Sequence, residues 1–125
     1  MGYDLDRAAA HPGEAFHLVL YWRSLKGVEQ DYSVFTQVIG EGNRIWAQED
    51  AWPQEGNAPT STWRPGQIIE DRYELIIKDD APAGVYDLQV GMYLSATGKR
   101  LKLLGEGGHV QDDRIVLGKV RIIAR

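Results

Sequence analysis

Carboxylates stand in adjacent pairs at four places in this chain: Glu49-Asp50, Glu70-Asp71, Asp79-Asp80 and Asp112-Asp113. Two carboxyl groups held about 5 to 10 Å apart across a cleft are what glycoside hydrolysis requires. Neighbouring residues on a strand point to opposite faces, so Glu70-Asp71 cannot supply both members of such a pair. Asp79-Asp80, followed by Ala81-Pro82, has the composition of a turn. A small glycosidase or lyase would therefore have to combine distant acids, Glu49 or Asp71 with Asp112 or Asp113. Asp112-Asp113 also follows the Gly-rich stretch "GEGGHVQ", where oxygen density and backbone freedom would allow a weak calcium site. The ligand spacing of a helix-loop-helix calcium loop is absent, and a solvated loop is the expectation there.

Other catalytic chemistries find no footing. His11, His17 and His109 lie far apart, none with a second His or a Glu at metal-ligand spacing, so solvent-exposed or singly bonded imidazoles are expected. No Gly-x-Ser-x-Gly elbow occurs, and "GEGGHV" leads to a strand rather than to the helix N-terminus that phosphate loops need. With no cysteine, thiolate nucleophiles, thiolate metal sites and disulfides are excluded together. No cofactor is expected.

Aromatic residues offer a different chemistry. Trp46 and Trp52 bracket the start of the segment "AWPQEGNAPTSTWRPG", residues 51 to 66, and Trp63 stands near its end. Indole faces stack on the apolar C–H faces of sugar rings while carboxylates and guanidinium groups take the hydroxyls. Trp52 and Trp63 are the candidate platforms, with Glu49, Asp50 and Arg64 as polar contacts. Trp63, just before Pro65-Gly66, is equally suited to plug the end of a core.

The elements that must position these groups have a period of two. In "EAFHLVLYWRS", Phe16, Leu18, Leu20 and Trp22 face one way and His17, Val19, Tyr21 and Arg23 the other. "DYSVFTQVIG" and "RIWAQED", joined by Glu41-Gly42-Asn43, read as a hairpin. "QIIEDRYELIIK" has a broken inward set of Ile69, Tyr73, Leu75 and Ile77. "VYDLQVGMY" puts Tyr86, Leu88, Val90 and Met92 on one face, "SATGKR" reads as a hairpin turn leading to "LKLL", and "RIVLGKVRIIA" closes the chain. Pro82-Ala83-Gly84-Val85-Tyr86 has the form of a tyrosine corner, in which the phenol bonds back to the connecting backbone. Short strands, turns every ten residues or so and no helical stripe predict one all-β domain over residues 1–125, an immunoglobulin-like antiparallel β-sandwich of seven to nine strands. Its predicted core is Phe16, Leu18, Leu20, Trp22, Val34, Tyr86, Leu88, Val90 and Met92.

Charge and hydropathy narrow the partners. The net charge of −4, from 18 acids interspersed with 14 bases, argues against nucleic acid and anionic membrane surfaces. No apolar run approaches the ~18 to 20 residues of a membrane span, so direct insertion is not expected. Met1-Gly2 running straight into the strand-like "YDLDR" reads as a piece of a longer chain.

The runs "DYSVFTQVIGEGNRIWAQEDAWP", "PTSTWRPGQIIEDRYELIIKDDAPAGVYDLQVGMYLSATGKRLKLL" and "RIVLGKVRI" resemble the soluble C-terminal β-sandwich domain of some bacterial membrane glycosyltransferases of the protein-mannosyltransferase (family 39) type. The likeness spans about residues 3 to 123. Its most specific elements are Trp63-x-Pro65-Gly66, Asp71-Arg72-Tyr73, Pro82-x-Gly84-x-Tyr86 and Gly91-x-Tyr93 followed by Thr97-Gly98-x-Arg100-Leu101. In such enzymes the transfer chemistry lies in the membrane-embedded part, to which nothing here corresponds, so no catalytic residue carries over. The resemblance implies a non-catalytic accessory domain on the extracytoplasmic face of a bacterial membrane. Its partners would be the rest of the glycosyltransferase and a glycan or glycosylation acceptor. A structural or protein-interaction module without a ligand is the alternative.

Overall fold

The structure, a computed structural model, describes residues 2–25, 27–102 and 113–125. Among these residues there are eight strands: β1 (Gly2–Leu5), β2 (Ala9–Ala10), β3 (Ala15–Arg23), β4 (Ser33–Ile39), β5 (Ile45–Ala51), β6 (Ile68–Ile76), β7 (Gly84–Tyr93) and β8 (Ile115–Ile122). They form two sheets, one in the order β1-β3-β6 and one in the order β2-β8-β7-β4-β5. The fold is all-β, and the two sheets pack against each other over a shared core.

Alternation decides which residues fill that core. β3 and β6 pair antiparallel with Leu20 opposite Asp71 and Leu18 opposite Tyr73, and along both strands every second residue is buried. Phe16, Leu18, Leu20 and Trp22 meet Val34, Val38, Leu88, Val90 and Met92 from the other sheet. All nine residues of the predicted core are buried, and full burial of side chains this size is worth about 1.5 to 3 kcal/mol each. The tyrosine corner forms as anticipated: the Tyr86 hydroxyl donates to the Pro82 carbonyl.

Two features depart from the expectation. The pairing is not wholly antiparallel, because the chain switches sheets between β1 and β2 and the two-residue β2 then runs parallel to β8. β4 is buried on both faces, with Phe35 and Gln37 shielded on the outer side, where the Gln89 amide donates to Gln37 Oε1 at 2.7 Å. Phe35 lies against Gly91 of β7, where any Cβ would stand 2.3 Å from its ring. The "SATGKR" turn is present, with Gly98 at φ +72°, and among the described residues it is followed by a bridge, Tyr93 with Arg100, and by the Leu101 amide donating to the Met92 carbonyl. Leu103 and Leu104 of the expected "LKLL" strand lie outside the described residues.

Candidate functional site

The long connection between β5 and β6 is built from two short 3-10 turns, Pro53–Gly56 and Thr60–Thr62. Its second half is an anchored plug. Thr60, buried, donates its hydroxyl to the Gln30 carbonyl and accepts the Tyr32 amide, while the Ser61 amide donates to Asp31. Trp63 is buried among the core residues, and its indole N–H donates to the Ala58 carbonyl at 2.8 Å. Of the two roles its position allowed, Trp63 takes the core plug and not the stacking platform. Trp46 is likewise buried, its ring covered by the Arg44 guanidinium 4.5 Å away. Trp52 alone of these indoles faces solvent, at 42% exposure.

The first half of the connection is held by Asp71. This residue is the break in the inward set of β6, a carboxylate at a position where alternation demands an apolar side chain. It is 1% exposed and accepts three hydrogen bonds: from Trp22 Nε1 at 3.2 Å, from the Tyr73 hydroxyl at 2.7 Å and from the Gln54 amide at 2.8 Å. Burial pushes its pKa up, and the Gln54, Tyr73 and Trp22 donors work against that shift. Burial and the neighbouring Asp71 charge in turn drive the Tyr73 phenol far above its ordinary range. Gln54 also donates its side-chain amide to the Glu70 carbonyl at 2.8 Å. These bonds hold Gln54 and Glu55 in left-handed backbone at φ 54° and 55°, a conformation that costs a non-glycine residue about 1 to 2 kcal/mol.

Glu49 enters the same region from β5. It pairs with inward-facing Thr36, and its Oε2 accepts the Glu74 amide of β6 at 3.2 Å, bridging the edges of the two sheets. Partial burial raises its pKa, and the carboxylates of Glu55, Glu74 and Asp71 push the same way. Asp50 points to the opposite side of β5, where its Oδ2 accepts the Tyr93 hydroxyl at 2.9 Å. Arg64 stands beyond Trp63 on the far arm of the connection, exposed, and makes no ion pair with Glu49 or Asp50 among the described residues.

The sequence candidates therefore separate. Trp52 and Asp50 are exposed near the end of β5, Glu49 turns inward, and Trp63 and Arg64 belong to the other end of the loop. Asp71, a candidate acid for hydrolysis, has its oxygens engaged by buried donors and is closed to a substrate. Asp113 lies 3.6 Å from Arg100, and Asp112 lies outside the described residues. Among the described residues no group of three or more His, Asp or Glu could hold a metal ion, and no helix is long and apolar enough to cross a membrane. His109 also falls outside the described residues, and the His11 ring donates Nδ1–H to the Ile123 carbonyl. His17 is solvent-exposed, as expected, and its two ring nitrogens contact two different carboxylates.

Two participants escaped sequence reading. Gln54 carries no signal beyond its place in a loop, whereas the alternation that turns Met92 inward could have marked Tyr93 as outward-facing. No known protein family matches this chain, and no curated protein matches it.

Proposed function

We propose that this chain is a non-catalytic accessory domain of a membrane glycosyltransferase, with an immunoglobulin-like sandwich whose exposed Trp52 makes a shallow contact with glycan. The sheet-switching first strand, the order β1-β3-β6 facing β2-β8-β7-β4-β5 and the Tyr86 corner support the immunoglobulin-like assignment. The contact rests on one observation: an indole left 42% exposed beside a loop whose backbone is held by buried hydrogen bonds. In the proposed contact Asp50, exposed near the end of β5, and Tyr93 of β7, which donates to it, take the places of Arg64 and Trp63, and Glu49 serves the sheet edge instead. A platform of one ring buries little surface and leaves much water in place, so the affinity expected is in the ~10 μM to mM range.

The test is a titration with mannose-rich glycans and with other bacterial glycans, followed at the indole N–H resonances. Trp52 should shift while Trp22, Trp46 and Trp63 stay put. Trp52→Ala should abolish the response, with circular dichroism checking that the fold is retained. No shift of any indole at millimolar glycan would remove the contact from the proposal.

An interaction module is favoured by a different observation. Val85 and Ile123, 61% and 42% exposed, flank an open, mostly apolar groove completed by Ala83, Gly84, Arg121, Ile122 and Ala124. Concentration-dependent mass by light scattering, lost in Val85→Lys, would promote that reading.

A further inference from the structure

We propose that His17 is a proton-operated clasp that fastens the N-terminal segment, where it crosses from one sheet to the other, onto the outer face of the three-stranded sheet. The geometry is specific. His17 Nδ1 lies 2.9 Å from Asp6 Oδ2, and Nε2 lies 3.1 Å from Glu74 Oε2. Asp6 is the first residue after β1, at the point where the chain leaves for β2, and Glu74 sits directly opposite His17 on β6. One imidazole thus ties three strands' worth of chain together. The Asp6 carboxylate also accepts the His17 backbone amide at 2.9 Å, and the Asp6 amide donates to the His17 carbonyl, so the ring contact closes a local double-bonded bracket.

Chemistry makes this arrangement dependent on a proton. Ionised carboxylates only accept, and a neutral imidazole has a single N–H to give, so both contacts are satisfied only in the imidazolium form. Loss of the proton leaves one carboxylate facing a nitrogen lone pair. The other charged groups around the clasp do not replace it. Arg7 lies 3.7 Å from Asp6 and 3.5 Å from Glu14, Arg72 pairs with Glu70 at 2.8 Å, and the Glu74 amide is already given to Glu49. Tyr21 on the same face donates to Asp4 at 2.7 Å. The bond to Asp6 and then the bond to Glu74 raise the His17 pKa above its ordinary 6.5. A raised folded-state pKa fixes the sign: the clasp is fully closed below about 6.5 and opens as pH climbs through the raised value.

Among the described residues β1 pairs only with β3. Beyond that pairing, the Tyr3 hydroxyl donates to the Leu117 carbonyl, Asp4 accepts from Tyr21, and Leu5 packs against the core. Arg7 reaches Glu14 and the Ala8 carbonyl accepts the Arg121 amide, so opening the clasp loosens the crossing at Asp6 between these holds.

The experiment is a proton titration of the whole chain from about pH 5 to 9 by NMR, reading the His17 ring and the protection factors of the Asp6 and His17 amides, corrected for intrinsic exchange. The expected result is titration of His17 above its ordinary value and a several-fold fall in protection across that titration. In His17→Gln the protection should be flat with pH, and His11→Gln should leave the fall unchanged. Glu74→Gln, an exposed change that spares the fold, should lower the His17 pKa. A His17 that titrates at or below its ordinary value, or an equal fall in His17→Gln, would overturn the clasp.

Discussion

Asp71→Ala should be among the most damaging single substitutions in this domain. The change removes one buried carboxylate and leaves three donors without a partner: the Trp22 indole N–H, the Tyr73 hydroxyl and the Gln54 amide. Trp22 and Tyr73 are each only 4% exposed, so water cannot reach their orphaned groups without opening the core. An unsatisfied buried donor costs about 1 to 3 kcal/mol, and relief of the buried charge offsets part of the sum, which leaves a loss of about 3 to 4 kcal/mol. For a domain of 125 residues that is a drop of about 10 to 20 °C in Tm. Asp71→Asn keeps the shape and one acceptor, so its loss should be about half as large. The assay is urea denaturation followed by tryptophan fluorescence, with circular dichroism for Tm. The Gln54 and Glu55 amides should lose order at the same time, since the bond that holds their left-handed backbone is gone. A loss under about 1 kcal/mol in Asp71→Ala, or equal losses in the two variants, would refute the view that Asp71 is the anchor of the loop.

Gly91→Ala should cost about 1 to 3 kcal/mol, because its Cβ would stand 2.3 Å from Phe35 and 3.0 Å from the Asp113 backbone; thermal unfolding measures it, and an unchanged Tm would show that Phe35 moves freely. Tyr86→Phe removes only the bond to Pro82 and should cost about 0.5 to 1.5 kcal/mol by urea titration. Glu49 has a folded-state pKa raised above 4.5, so its ionised form opposes folding and stability falls as pH rises from 4.5 through the folded value. Glu49→Gln keeps an acceptor for the Glu74 amide and should therefore be slightly more stable than wild type at pH 7, by less than about 1 kcal/mol, with the gap closing below pH 4.5. Paired Tm measurements across that range would contradict this if the variant were less stable at pH 7.

The core was legible because β-alternation needs nothing beyond the order of side chains. Phe16, Leu18, Leu20 and Trp22 could be assigned to one face before any neighbour was known, and so could Tyr86, Leu88, Val90 and Met92. What alternation does not carry is which sheet a strand joins. β2 is two alanines, too short to show a period, and its parallel pairing with β8 depends on where β1 ends. The burial of β4 on both faces was equally hidden, since Gln37 and Gln89 are outward polar residues that only the strand register brings together. In the candidate site, a loop rich in indoles was visible but the direction of each indole was not. Trp63 turned inward because its N–H found the Ala58 carbonyl within its own loop. Asp71 was legible as an anomaly, a charge at an inward position, and its hydrogen-bond donors show the anomaly to be structural.

Glu49 and Asp71 illustrate how two acids can approach from opposite sheets and still not resemble a hydrolytic pair. A hydrolase would need both carboxyls open to one substrate, one protonated and the other free to attack or to activate water. Asp71 is sealed under Trp22, Tyr73 and the Gln54 backbone, with both of its oxygens accepting from them. Glu49, half-buried, accepts the Glu74 amide and so stitches the β5 edge to β6. Both acids act on backbone: Asp71 fixes residues 54 and 55, and Glu49 fixes the strand edge beside them. The consequence of Asp71's burial is a loop held in unfavourable left-handed conformations at Gln54 and Glu55, separated from Trp52 by one residue. A backbone in that state is maintained only where surrounding bonds outweigh its cost. The side chain that this expenditure leaves at the surface is the Trp52 indole, which is why binding is sought there and not between the carboxylates.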